Sequence, residues 1–352
     1  MLLKDEFSFM PKSKIKAGEG KDEGLYPFFT SSDVKVKRID NYLFNDELVV
    51  LGTGGMPSCN YFNGKFAVST DNFVLKSKGR IKPKYLYYFL RHNNLSILAA
   101  GFRGTGLKHI SKEYTNEIDI PYKEPNIQKE LIDVADVINI LIDNCKKELQ
   151  LYDEMVKSRF NELFGNPVIN NKNWGTVKLK SITTKIGSGA TPKGGKGSYP
   201  TKGISFIRSM NVYDGIFDYN ELAHLNDSQA NKLRGVTIYN NDILFNITGA
   251  SISRTCIVPD DVLPARVNQH VSIIRLKNGV NHIFINHLLF NKHMKDKLLG
   301  IGESSGATRQ AITKTDLEEL DIILPQIELQ NVFASFVEQI DKLKFIEQNQ
   351  SF

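Results

Sequence analysis

The sequence predicts an α+β protein: two duplicated mixed α/β domains, separated by long antiparallel α-helices and related by a pseudo-twofold axis. Three observations predict it. Residues 126–165 carry an apolar stripe of helical period over far more turns than a globular helix usually has. The chain repeats itself at a constant offset of 202 positions. Its charge alternates, with net values of +5, −3, +6 and −2 over residues 1–125, 126–165, 166–325 and 326–352.

At 352 residues the chain exceeds one compact core, which sets a prior of two or three domains. Its 41% hydrophobic and 24% charged residues are those of a globular protein and exclude global disorder. No run approaches the roughly 18 apolar residues of a membrane span. Met1–Glu6 lacks an apolar segment after a basic start, so the expected location is the cytoplasm. Cys59, Cys145 and Cys256 lie far apart without a CxxC pair, which argues against a zinc site or a disulfide framework.

Residues 1–125 form the first domain, with strands expected at Glu47–Leu51 and Lys65–Leu75 and a short helix at Lys84–His92. Residues 126–165 form one helix. Ile127, Leu131, Val134, Ile138, Leu141, Cys145, Leu149, Tyr152, Val156, Phe160 and Leu163 recur every three or four positions, with Lys146, Lys147, Glu148, Asp153, Glu154 and Lys157 between them. The mean step of about 3.6 keeps the stripe straight, over a length of about 57 Å. Gly165-Asn166-Pro167 then stops it.

Residues 166–325 form the second domain, with strands at Ile204–Arg208, Asp242–Thr248 and Val271–Leu276 and a helix at Ile283–Lys292. Residues 326–352 form a second, shorter helix, ending roughly 14 residues before the position that matches Phe164. Either it is a shortened variant or another chain completes the spacer.

The repeat is explicit. Gly104, Ile110, Lys112, Glu117, Asp119, Ile120 and Gln128 meet the same residue types at Gly306, Ile312, Lys314, Glu319, Asp321, Ile322 and Gln330. Leu131, Val134, Ile138 and Leu141 fall on Phe333, Phe336, Ile340 and Leu343. Upstream, where the offset drifts, Asn45-Asp46-Glu47-Leu48 reads opposite Asn241-Asp242-Ile243-Leu244 and Thr53-Gly54 opposite Thr248-Gly249. Two copies joined head to tail favour an antiparallel helix pair, the single-chain counterpart of a symmetric dimer on two DNA half-sites.

Over essentially its whole length the sequence resembles the specificity subunit of type I restriction-modification systems. The second copy carries the resemblance in Trp174-Gly175-Thr176-Val177-Lys178-Leu179, Gly187-Ser188-Gly189-Ala190-Thr191-Pro192, Gly203-Ile204-Ser205-Phe206-Ile207-Arg208, Asn246-Ile247-Thr248-Gly249-Ala250-Ser251 and Val267-Asn268-Gln269-His270-Val271. The first carries it in Tyr26-Pro27-Phe28-Phe29-Thr30 and in Ile120-Pro121 with Gln128, but lacks the Trp-bearing start, Leu3-Lys4 standing opposite Leu179-Lys180.

The resemblance implies two target-recognition domains, each reading half of a bipartite site on double-stranded DNA. Separate modification subunits, two of them, methylate adenine, and a restriction subunit where one exists translocates or cleaves. S-adenosylmethionine, ATP and magnesium would then belong to the partners, with no cofactor or metal bound by this chain. The helices would dock the modification subunits and set the spacing through Leu131, Ile138, Leu141, Tyr152, Phe160, Phe333, Phe336, Ile340 and Leu343.

Motifs for independent catalysis are missing. The glycine-rich run Gly189–Gly197 has Ala190 and Gly197 where a P-loop needs Gly and Ser or Thr. Asn166-Pro167-Val168 is a helix stop, not an amino-methylation motif, and Pro259-Asp260-Asp261 has no E-x-K nearby. The seven histidines are scattered.

Base reading calls for polar and basic side chains on loops, with further cations on phosphates. In the second copy the base-reading candidates are Asn246, Thr248, Ser251, Ser253, Arg254, Asn268, Gln269, His270, Arg309 and Gln310, with Lys193, Lys196 and Arg208 for phosphates. In the first copy they are Thr53, Ser58, Asn60, Asn63, Asp71, Arg103 and Lys108, with Lys12, Lys14 and Lys16 for phosphates. Asp71 opposite His270 implies half-sites of different sequence. Two other readings compete: an autonomous DNA-modifying enzyme or nuclease, and a duplicated scaffold that does not bind DNA.

Overall fold

The computed structural model describes residues 1–32, 36–92, 95–192, 197, 199–304 and 311–350. The chain divides into two compact units, Met1–Asn144 and Cys145–Phe352. The central helix, Pro125–Phe164, crosses that division, so it is shared between the units and is not a body of its own. Among the described residues no helix is long and apolar enough to cross a membrane.

The first unit is built on a six-stranded sheet in the order Phe7–Phe9, Asn72–Ser77, Phe44–Gly52, Ser58–Val68, Tyr26–Phe29, Lys37–Ile39. Neighbours are antiparallel except Tyr26–Phe29 against Ser58–Val68, which run parallel. Residues 48–51 are all apolar because both faces of the sheet are covered. Val49 and Leu51 point to the side packed with Leu86 and Leu90 of the helix Pro83–His92, whereas Leu48 and Val50 meet Phe29, Phe66 and Val68 on the other. The single strand expected over Lys65–Leu75 is two, broken at Ser69-Thr70-Asp71.

The second unit repeats this plan with its sheet divided. Thr183–Ser188, Val271–Leu276, Ile243–Asn246 and Thr255–Ile257 form one antiparallel sheet. Ala223–Leu225, Ile204–Ile207, Ala265–Val267 and Thr237–Ile238 form another, in which Ile204–Ile207 and Ala265–Val267 are parallel. The continuous strand Ser58–Val68 therefore corresponds to Thr255–Ile257 plus Ala265–Val267, interrupted in the second unit by Asp260–Val262 and the cis Leu263–Pro264 peptide.

The repeat is reproduced bond by bond. The Leu3 amide donates to the Ile118 carbonyl and the Leu179 amide to the Leu320 carbonyl, both at 2.9 Å. Lys4 pairs with Glu117, and Lys180 with Glu319. Ser111 caps the Tyr114 amide, and Thr313 the Asp316 amide. The strand bonds correct the upstream register, however. Gly54 bridges His109 and Thr248 bridges Ala311, so Gly54, not Thr53, lies opposite Thr248.

Each half of the central helix belongs to its own unit. In the first, Gln128 and Ile132 are buried against the domain, and Asp136 accepts from Lys84 at 2.6 Å and from the Tyr88 hydroxyl. In the second, Val156, Phe160 and Phe164 pack with Phe284 and Phe333, with Phe164 and Phe284 rings 4.7 Å apart. Phe160 meets Phe333 while Asp153 meets Lys344, so the C-terminal helix Ile327–Gln350 runs antiparallel to residues 153–164. Gly165, at φ +71°, ends the helix, and the Trp174 indole donates to the Phe164 carbonyl at 3.1 Å.

Candidate nucleic-acid interface

In the second unit, loops after several strands converge at one end of the sheets. The Ile247 amide donates to the His270 carbonyl at 3.0 Å, and the Ile247 carbonyl accepts from the Ile312 amide at 2.9 Å. Gly189 donates to the Asn268 carbonyl, and a Cβ at Gly189 would lie 1.8 Å from the Val267 carbonyl oxygen, so only glycine permits this approach. On this frame a polar chain is laid. The Thr248 hydroxyl lies 2.6 Å from His270 Nδ1, Gln269 Nε2 lies 3.2 Å from His270 Nε2, and the Thr191 hydroxyl donates to Gln269 Oε1. Gln269 is exposed, Thr248 and His270 half-buried. The Arg254 guanidinium stacks 4.4 Å from the Tyr213 ring centre.

The first unit builds the same frame. The Thr53 amide donates to the Asp71 carbonyl at 2.9 Å, and the Thr53 carbonyl accepts from Ile110 at 3.1 Å. Gly55 donates to the Lys108 carbonyl, which ties the loop bearing Lys108 to the Thr53–Gly55 segment, and Thr70 donates to the Ile15 carbonyl, which ties the loop bearing Lys14 to the turn that carries Asp71. Lys12, Lys14, Lys16, Asp71, Arg103 and Lys108 are all exposed there.

Burial removes several predicted base readers from direct contact. Ser58, Asn246 and Ser253 are fully buried, and Asn268 nearly so. The Ser58 hydroxyl holds the Ser31 carbonyl, Asn246 Nδ2 holds the Ser209 carbonyl, and Asn268 Oδ1 accepts the His270 amide. These side chains shape loops. Asn60 is half-buried within the sheet, and Asn63, opposite Glu47, sits about 17 Å along its strand from Ser58, away from the loop end. Arg208 is half-buried and bound to the Glu221 carbonyl, and Ser251 is half-buried in the short turn Gly249–Ser251. Lys193, Lys196, Arg309 and Gln310 lie outside the described residues.

Three participants were not among the predicted site residues: Thr191, Tyr213 and His109. His109 is exposed, and its ring lies 2.9 Å from where a Gly54 Cβ would stand. Its offset partner, Ala311, is small where His109 is large, and Thr248 is large where Gly54 is small. The repeat itself could have exposed that exchange.

A matching family model covers residues 3–151 and 171–351, and its description is type I restriction modification DNA specificity domain. This chain belongs to that family. The two matched segments make it a two-copy member. It is 25% identical over 349 residues to the type I restriction enzyme MjaVIII specificity subunit of Methanocaldococcus jannaschii, covering 91% of this chain and 80% of that one. It is 25% identical over 284 residues to that organism's putative MjaX specificity subunit, covering 76% of this chain and 63% of the relative. The fold matches a type I restriction-modification S subunit from M. genitalium with a TM-score of 0.66 at 14% identity, across 100% of this chain and 91% of that structure.

For this specificity-domain protein the helices form a second candidate surface. Phe160, Phe333 and Ile340 are buried in the second unit's core and Tyr152 and Phe336 pack against it, so these five join the two helices to that core. Leu131, Val134, Ile138 and Leu141 are instead 46% to 57% exposed, and Leu343 is 43% exposed. Val137 and Ile140 widen the apolar face, although their counterparts, Gln339 and Lys342, are polar and exposed. That width is more than a solvated helix needs.

Proposed function

We propose that this chain is the DNA sequence-specificity subunit of a type I restriction-modification complex, each unit reading one half of a bipartite, asymmetric site. One observation carries the reading: two loop clusters share one backbone hydrogen-bond frame yet present different side chains, Asp71, Gly54 and His109 in one, His270, Thr248 and Ala311 in the other. A common scaffold with exchanged polar groups is what two related readers of unlike sequences require.

The exposed face of residues 131–141 supports docking of two modification subunits, which would carry S-adenosylmethionine and the methyl transfer. A restriction subunit would bring ATP, magnesium and cleavage. In this reading the chain itself is non-catalytic and binds no cofactor, acts in the cytoplasm, and its helices set the half-site spacing. The test is co-expression with the cognate adenine methyltransferase subunit and genome-wide mapping of methylated adenines. A split motif that depends on this chain is expected. Methylation by this chain alone would favour an autonomous enzyme, and no salt-dependent DNA binding by the complex would favour a scaffold.

A further inference from the structure

Asp71 and His270 occupy one place in the two frames. Each lends its carbonyl to the residue, Thr53 or Ile247, whose own carbonyl accepts from Ile110 or Ile312. Their side chains differ in what they can offer. Both ring nitrogens of His270 are engaged, by Thr248 and Gln269, so position 270 organises a polar chain. Asp71 is exposed, and its carboxylate has no hydrogen-bond or ion-pair partner among the described residues. An ionised carboxylate accepts hydrogen bonds and donates none.

Its surroundings make that freedom informative. The loop bonded to its turn carries Lys12 and Lys14, and the loop of Lys108 is bonded to Gly55, two residues beyond the Thr53 that bonds Asp71; all three are exposed cations also without ion-pair partners among the described residues. In such a cluster a carboxylate lowers affinity for a polyanion, since every phosphate repels it. It is compensated only where it meets a donor. In the major groove those donors are the exocyclic amino groups, cytosine N4 and adenine N6, whereas guanine O6, thymine O4 and purine N7 are acceptors.

We propose that Asp71 is a specificity-determining residue that accepts a hydrogen bond from an exocyclic amino group, cytosine N4 or adenine N6, in the half-site of the first unit. The second unit has no counterpart to this contact, because His270 is committed to its neighbours. Opposite an acceptor edge the Asp71 carboxylate is desolvated without a partner, so it acts mainly by rejecting the wrong base. The inference rests on the reading of the units as DNA half-site readers.

The experiment uses the full chain assembled with its methyltransferase subunits, comparing wild type with Asp71→Asn and Asp71→Ala. In methylome maps both variants should relax one position of one half-site, leaving the other half-site and the gap unchanged. In binding assays, duplexes lacking the amino group at that position, with purine for adenine or 2-pyrimidinone for cytosine, should bind the wild-type complex about tenfold to a hundredfold less tightly. Asp71→Ala should lose that discrimination, and Asp71→Asn, whose amide oxygen still accepts while its amino group also tolerates an acceptor edge, should weaken it. An unchanged motif in both variants, or a uniform loss of binding across all sequences, would overturn the role of Asp71. A wild-type complex that methylates no split site would overturn instead the reading beneath it.

Discussion

Gln128 and Gln330 make the same two hydrogen bonds at equivalent places in the two units. Each donates from Nε2, at 2.7 Å, to the carbonyl five residues upstream, Lys123 or Pro325. Each accepts at Oε1 from the amide that precedes a short helix, Lys82 at 2.8 Å or Asn281 at 3.0 Å. Both side chains are buried. They lock the start of each long helix to its domain. Gln330→Ala should therefore cost about 2–3 kcal/mol, since it leaves buried backbone groups unpaired. Urea denaturation measures this, and an unchanged midpoint would show that the clamp contributes nothing.

How much of this could be read from the sequence depends on the kind of signal. The central helix and its stop at Gly165 were legible because eleven apolar positions share one period and glycine suits a left-handed end. Lys65–Leu75 reads as one strand because apolar runs, Phe66–Val68 and Phe73–Leu75, flank its middle, yet the Ser69-Thr70-Asp71 turn inside it carries an exposed acidic group of the site. The Thr-Gly match misplaced the upstream register by one residue, since two letters weigh less than a strand ladder. Loop polarity did not distinguish Asn246 and Ser253, turned inward, from Gln269, turned outward. Only tertiary bonding decides that.

The helical surface separates into core and face, and the two should respond differently to substitution. Phe160→Ala removes a ring that meets Phe164, Phe284 and Phe333, so it should destabilise the second unit by about 3–5 kcal/mol. Ile138→Asp, on the exposed face, should leave the unfolding free energy within about 0.5 kcal/mol of wild type. It should instead abolish co-purification with the modification subunit. Full recovery of the complex with Ile138→Asp would remove this face from docking.

Acid should loosen the second unit through His287. Burial, with a smaller contribution from Lys344, lowers its pKa from 6.5 to about 3. The unfolded chain therefore takes up a proton near pH 6.5 that the folded chain refuses until about pH 3. The stability from keeping this ring neutral is complete above the unfolded value and falls as the pH drops through that window, by at most about 1.4 kcal/mol per pH unit. Between pH 7.5 and 5.0, His287→Leu should lose about 2 kcal/mol less stability than wild type. Parallel pH profiles for the two proteins would refute this assignment.

Whether the helices set the half-site spacing can be tested by lengthening the central helix outside its paired segment. Asp153 meets Lys344 and the packing continues to Phe164, so an insertion near Asn144 lies outside the paired segment and leaves the second unit's core intact. Seven residues lengthen the helix by about 10.5 Å, close to the rise of three base pairs at about 3.4 Å each. They return the helix face to within about 20°, whereas three base pairs turn the duplex by roughly 100°. A helix that acts as a ruler should then yield the same two half-sites with a longer gap and weaker methylation, because the second half-site is presented on a rotated face. Three or four inserted residues rotate the helix as well and should lower methylation further. Methylome sequencing of the two variants decides between a ruler and a tether. An unchanged gap at full activity would mean that the half-sites are positioned by the docked subunits and that these helices only join the units.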